Sequence, residues 1–388
     1  MPSAASSAGR IQAVDALRGL ALFGILMVNV WFFADSTTVV GGPDPDATAP
    51  IDLAIRFGVA TLFEGKFYLL YSLLFGYGFA VLQRRSGPEA VHLIRRRLAF
   101  LAVLGIVHGL ALFYGDILLT YALAGTILLA TRTITARTAL GIAVAITAGV
   151  FLLLIGSAAL LLLGDAAGGT APTITTVMDP WNPIEAFRRN AGTYGTILPT
   201  VVFFQGPLAL GAFFAGSSLA ARGVLRPHAP SRAVLRRVVV LALPLGLTAS
   251  ACQAYLGIWG ANDGTSLLAT GLSVAASPLV TIGYGAAFLL LLDTRRGSTV
   301  LALLAPAGRL SLTNYLGQSV ALCGVFTGYG FGLADELPSA LVVLLVIVLF
   351  AAQIVTSRLI LARRSAGPLE WALRSVVHRN PGRTPGED

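Results

Sequence analysis

The stretch GIVHGLALFYGDILLTYALAG (105–125) sets two titratable side chains, His108 and Asp116, into otherwise apolar chain. Its two halves read as short membrane helices joined by a tight Gly115-Asp116 turn. A charge at the centre of a membrane helix costs at least ~2.5–3.5 kcal/mol, so such groups face a protein interior or a water-filled cavity and mark a site.

The rest of the chain supports the membrane reading. Hydrophobic residues make up 56% of the 388 and charged residues only 12%, and mean hydropathy is +0.80. A soluble domain is about one quarter charged. A crossing needs ~20 apolar residues, and that length predicts ten spans: 16–33, 57–82, 98–114, 116–131, 139–163, 197–221, 238–258, 266–292, 310–328 and 338–361. Residues 298–308 read as a brief interfacial helix. No long polar stretch is left for a second unit. The expected fold is therefore all-α, a polytopic helix bundle forming one integral-membrane domain over 1–388. The first apolar run carries Asp15 and Arg18 at its start and Asn29 inside it, with no small-x-small cleavage site after it, so it stays as a first helix.

Orientation follows from the basic residues. With both termini in the cytoplasm, 23 of the 27 Lys and Arg fall on the cytoplasmic side; only Arg56, Lys66, Arg188 and Arg189 fall outside. The net charge of +9 does not point to nucleic acid, because the arginines lie in short loops and form no single patch. The partner is the bilayer, and the location a bacterial inner membrane. Cys252 and Cys323 sit in apolar runs, and His92, His108, His228 and His378 are scattered without ligand spacing, so no metal is expected. The outer loops include an acidic stretch with Asp44 and Asp46, and a segment in which Trp181 and Phe187 seat an interfacial helix.

Polar residues within spans mark the candidate site. His108 lies roughly 10 Å below the outer end of its helix at 1.5 Å per residue, and its pKa range suits a general base or proton relay. Both helices of its hairpin are short, which recesses the turn and makes Asp116 the floor of an outward-open dip. In the second span Glu64, Tyr68, Tyr71 and Phe75 follow helical spacing and share a face, while Lys66 reads as snorkelling to the water boundary. Asp15 and Arg18, three apart, read as a cap and ion pair that fix folding and orientation. Asn29 reads as an interhelical bond or a ligand contact. Ser311, Asn314 and Gln318 form a polar stripe, flanked by Arg309 and Thr313, that reads as the lining of a cavity.

Four motifs carry a resemblance: RIQAVDALRGLALFGILMVN (10–29), FEGKFYLLYSLLFGYGF (63–79), HGLALFYGDILLTYALAG (108–125) and GRLSLTNYLGQS (308–319). With GPLEWALR (367–374) they resemble the YeiB-like bacterial inner-membrane family over nearly the whole chain. The resemblance implies N-terminal helices over 10–221 that carry the His/Asp site, followed by a domain of unknown function over 222–380, with a loose association with transport. The pattern D-x-x-R-G (15–19) is also similar to that of membrane acyltransferases of the heparan-glucosaminide acetyltransferase type. That likeness implies a membrane-embedded histidine, here His108, and acyl transfer from cytosolic coenzyme A.

Three functions are thus expected in turn. In an acyltransferase, acyl-CoA phosphates dock at Arg95–Arg97 or Arg309, and the thioester arm passes Asn314 and Gln318. His108, oriented by Asp116 or Glu64, deprotonates an extracytoplasmic acceptor, with Lys66 or Asn29 facing the oxyanion and Tyr68 and Tyr71 lining the substrate site. In a proton-coupled transporter, Glu64, His108 and Asp116 form the relay. The third is a non-catalytic membrane partner.

Overall fold

The computed structural model describes residues 4–35, 49–85, 87–163, 182–224, 230–260 and 262–378. The acidic stretch with Asp44 and Asp46, and Trp181, lie outside them. Among the described residues, seven helical runs are long and apolar enough to cross a membrane: Gln12–Ala34, Pro50–Arg84, Ala136–Leu163, Pro183–Ala221, Arg232–Trp259, Asp263–Leu292 and Ser339–Arg363. The chain is an all-α membrane protein. Its lipid-facing surface is plain on α7 (Ala136–Leu163), where Leu152, Leu160 and Leu163 are exposed although nothing polar accompanies them.

The expected segment 98–114 corresponds to a longer helix that starts earlier, α5 (Ala90–Ala111), whereas 116–131 and 310–328 correspond to shorter ones, α6 (Leu118–Ala130) and α13 (Ser311–Phe326). The 13 residues of α6 reach roughly 20 Å at 1.5 Å per residue, short of a ~30 Å core. The segment expected at the interface is α12 (Gly297–Arg309).

The second expected span is not one helix. It breaks between α3 (Pro50–Leu62) and α4 (Lys66–Arg85), because Gly65 takes φ +76°, a conformation glycine adopts without penalty. Glu64 therefore sits in the break and not on the face of Tyr68 and Tyr71. Lys66 does not snorkel: it is fully buried, and its Nζ donates to the Ala60 carbonyl at 2.8 Å. That carbonyl is one of the last four of α3, which lack helical partners.

Close backbone approach holds the bundle together. The end of α12 packs on α1 (Ala4–Asn29), where a Cβ on Gly308 would fall 1.7 Å from the Asp15 carbonyl oxygen and one on Gly19 would fall 2.4 Å from that of Leu304. Two of the sequence motifs, 10–29 and 308–319, thus meet backbone to backbone, the small-residue packing of membrane helices. On the other side, Gly76 of α4 and Gly216 of α9 (Gly206–Ala221) allow the same closeness, a Cβ on either lying 2.0–2.2 Å from facing carbonyl oxygens. We expect Gly308→Ala to destabilise the protein by about 1–3 kcal/mol through overpacking, read as a lower midpoint of thermal unfolding in detergent; a midpoint at or above that of the parent would refute the packing account.

Candidate functional site

The site forms where α5 stops inside the bundle. Leu112 and Phe113 N–H both bond the His108 carbonyl at 2.9 Å, and the chain turns through 112–117 into α6. A helix end within a dry interior must place its free carbonyls, and each has a partner here. Asn190 of α8 (Pro183–Thr200) gives its amide to Gly109 and Leu110 carbonyls at 2.7 and 2.8 Å. Its Oδ1 accepts the Tyr114 N–H at 3.0 Å. The Tyr329 hydroxyl donates to the Ala111 carbonyl at 2.8 Å, and the Cys323 thiol donates to Leu112 at 3.1 Å.

This tied-down turn positions Asp116. Its Oδ2 accepts the Leu119 N–H at 3.1 Å in the first turn of α6, and its Oδ1 lies 2.8 Å from Nδ1 of His108. Gly105, one turn before His108, makes room: a Cβ there would lie 2.4 Å from the Leu119 nitrogen and 2.7 Å from Asp116 Oδ2. The other imidazole nitrogen, Nε2, is 2.9 Å from Oγ of Ser319 on α13. With Asp116 as an acceptor, the network assigns the proton to Nδ1, so Nε2 accepts from the Ser319 hydroxyl.

Asp116, His108 and Ser319 are 0%, 1% and 4% exposed. The expected outward-open dip is therefore absent, since both members of the His–Asp pair are sealed. The imidazole lies between the rings of Tyr315, 5.2 Å away, and Phe113, 6.1 Å away. Beyond this layer, on the side of α8 and the 327–334 loop, is a pocket of about 70 Å³ lined by Phe33, Leu112, Phe326, Tyr114, Arg189 and Asn190 among others. Phe113 stacks on Phe33 at 5.0 Å, so one aromatic layer separates that pocket from the imidazole.

Other expected site residues fall elsewhere. Asn314 gives its amide to the Ala307 carbonyl and to Ser357 Oγ, both at 2.9 Å. Gln318 donates to Oε1 of Gln353 at 2.9 Å, and Gln353 donates back to the Asn314 carbonyl. Asn314 and Gln318 of the stripe thus form a hydrogen-bonded seam with α14 (Ser339–Arg363). The adjacent face, Tyr315, Ser319 and Cys323 at four-residue spacing, is the one that meets the α5 turn. Sequence reasoning overlooked Ser319 and Asn190; the spacing of Tyr315, Ser319 and Cys323 was the available signal for the first. Nothing in the sequence singled out the second.

Glu64 does not join His108; its Oε2 accepts from Gln253 of α10 (Arg232–Trp259) at 3.2 Å. Tyr68 donates to the Gln205 carbonyl, which a π-helical turn at Val201–Gln205 sets free. Tyr71 stacks on Tyr121 at 6.2 Å. Asp15 and Arg18 pair at 3.2 Å. Asn29 ends α1 half-buried, and Arg309 is exposed, 3.4 Å from the Ser365 carbonyl.

Residues 219–380 match a family model described as "Protein of unknown function (DUF418)". The chain is also similar to the uncharacterised protein YxaH of Bacillus subtilis, 29% identical over 95% of this chain and 94% of the relative. The uncharacterised protein YeiB of Escherichia coli is 29% identical over 96% of this chain and 97% of its own length. The chain is YeiB-like. No solved structure matches it.

The geometry now gives the motifs of this YeiB-like chain their physical content. In GPLEWALR (367–374), Glu370 caps α13: Oε1 accepts Leu312 and Thr313 N–H at 2.9 and 3.0 Å, and Oε2 accepts the Thr313 hydroxyl at 2.6 Å. GRLSLTNYLGQS (308–319) supplies the contact with α1, the seam with α14 and Ser319. Both polar faces of α13 are therefore bonded, one to α14 and one to His108. Gln353→Ala strips the Gln318 amide of its acceptor, and we expect a loss of about 1–3 kcal/mol. Denaturant titration of the purified protein measures it, and a change below ~0.5 kcal/mol would contradict the seam.

Proposed function

We propose that this chain is a multi-pass acyltransferase of the bacterial cytoplasmic membrane, moving an acyl group from cytosolic acyl-CoA to an extracytoplasmic acceptor, with His108 as general base. The observation that carries this reading is the buried line Asp116–His108–hydroxyl. A carboxylate on Nδ1 fixes the tautomer and leaves the Nε2 lone pair aimed at an O–H, and it stabilises the imidazolium that forms when that proton is taken.

Two further features support it. Arg95 and Arg309, both exposed, can meet the phosphates of acyl-CoA. On the opposite side, the pocket with Arg189 and Asn190 offers an acceptor a place one aromatic layer from the base.

A second reading, proton-coupled transport, draws on one specific observation. The break at Gly65, with buried Lys66 and with Glu64 bonded to Gln253, resembles the discontinuous helices of transporters. The two readings separate in vesicles carrying the purified protein. We expect radiolabelled acyl groups to pass from acyl-CoA to a hydroxylated acceptor, and His108→Ala or His108→Gln to reduce the rate by about 10²–10⁴-fold. An unchanged rate in a folded variant removes the base. Proton-linked uptake lost in the same variants, without acyl transfer, establishes the transporter instead.

A further inference from the structure

Several hydroxyls on the described helices bond their own backbone. Ser72, Thr126, Thr147, Thr196, Thr270 and Thr327 each donate to the carbonyl four residues back, at 2.8–3.2 Å. That is the default for Ser and Thr within a helix. Ser319 departs from it. Its Oγ reaches across to His108, 211 positions away in sequence, and so completes a hydroxyl–imidazole–carboxylate line with spacings of 2.9 and 2.8 Å. Recognised by geometry and role, not by order in the chain, this is the arrangement of an activated serine nucleophile.

A second observation concerns the charge that such a nucleophile generates. Tyr315 is one turn before Ser319 on the same face of α13, its ring 5.2 Å from that of His108. Its buried hydroxyl finds no acceptor, the Ile117 backbone meeting its oxygen only as a donor, and a buried O–H without an acceptor is costly unless a ligand group satisfies it. A phenol placed beside the attacking oxygen serves as donor to a developing oxyanion.

We propose that Ser319 is the nucleophile and carries the acyl group as a covalent ester, with Tyr315 donating to the oxyanion. The proposal deepens the acyltransferase reading and rests on it. In the first half, Ser319 Oγ bonds the thioester carbonyl carbon while its proton passes to Nε2 of His108. The tetrahedral oxyanion collapses, the carbon–sulfur bond breaks, and the thiolate leaves with that proton as free coenzyme A thiol. In the second half, the acceptor hydroxyl gives its proton to Nε2 and its oxygen bonds the ester carbonyl. The bond to Ser319 Oγ then breaks and the serine regains the proton. No other reactant is consumed.

The test uses the full-length protein in detergent. Acetyl-CoA labelled in the acetyl group, with no acceptor added, is expected to leave a label on the peptide containing Ser319 that alkaline hydroxylamine releases and neutral hydroxylamine does not. An alkyl fluorophosphonate is expected to modify the same residue. Both adducts are expected to vanish in Ser319→Ala and to form at least ~100-fold more slowly in His108→Gln, while Tyr315→Phe lowers the rate of transfer with little change in fluorophosphonate-accessible protein. Wild-type protein that transfers acyl groups but yields neither adduct overturns the nucleophile, as does transfer that survives Ser319→Ala; in both cases the base His108 stands. A fluorophosphonate adduct on Ser319 without any labelling by acetyl-CoA keeps the nucleophile and removes the acyl-CoA reading. Labelling at another residue overturns the proposal outright.

Discussion

Inside a bilayer there is no water to take up a stray carbonyl, and every interruption of a helix must find protein partners for the groups it frees. Two interruptions govern this structure. At the first, Lys66 folds back onto α3, and Thr281 donates to the Lys66 carbonyl at 2.8 Å. At the second, Asn190, Tyr329 and Cys323 hold the end of α5 while Asp116 holds the start of α6. The second set comes from α8, α13 and the loop after it, so the turn that carries Asp116 is only as stable as the assembly around it. The same bonds that satisfy the backbone place the carboxylate against the imidazole.

Much of the architecture was legible because it follows from composition. Apolar length declares a membrane helix, and the long runs at 139–163, 266–292 and 338–361 are helices in the structure. The breaks were harder to see, because glycine in a membrane helix is commonplace: Gly65 looks no different in sequence from Gly76, yet one turns the chain and the other admits a neighbouring backbone. The titratable pair was legible as well, since His108 and Asp116 stand alone among apolar residues. The two polar faces of α13 differ in an instructive way. Asn314 and Gln318 are conspicuous because they are large and polar, but large amides are what a helix uses to bond a neighbour. The smaller hydroxyl of Ser319 attracts no notice in a string of letters. What identifies it is a partner on another helix, and a single sequence does not print contacts.

The Asp116–His108 pair is an expensive thing to bury. Removing either partner of such a pair leaves an uncompensated polar group, a penalty of about 3–5 kcal/mol when the survivor is charged. The surroundings moderate that cost with the Leu119 N–H on one side and the Ser319 hydroxyl on the other. Folding alone does not call for such a device, since aliphatic side chains fill the same space without a desolvation penalty. The neighbouring seam of Asn314, Gln318, Gln353 and Ser357 shows how neutral amides do the work of specifying a helix contact. A buried His–Asp–Ser line beside a neutral seam on the same helix is what the proposed proton chemistry calls for, with packing left to the other face.

Sealing is compatible with that chemistry and bears on what kind it is. A serine ester exposed to water hydrolyses, so an enzyme that passes an acyl group to a chosen acceptor gains by excluding solvent from the carbonyl until the acceptor arrives. Phe113, between His108 and Phe33, forms the partition on the pocket side. Its position in the turn, neither in α5 nor in α6, lets the ring move without unwinding a helix, because the turn's anchors bond the backbone at 109–112 and at Tyr114 and leave the Phe113 side chain held only by packing.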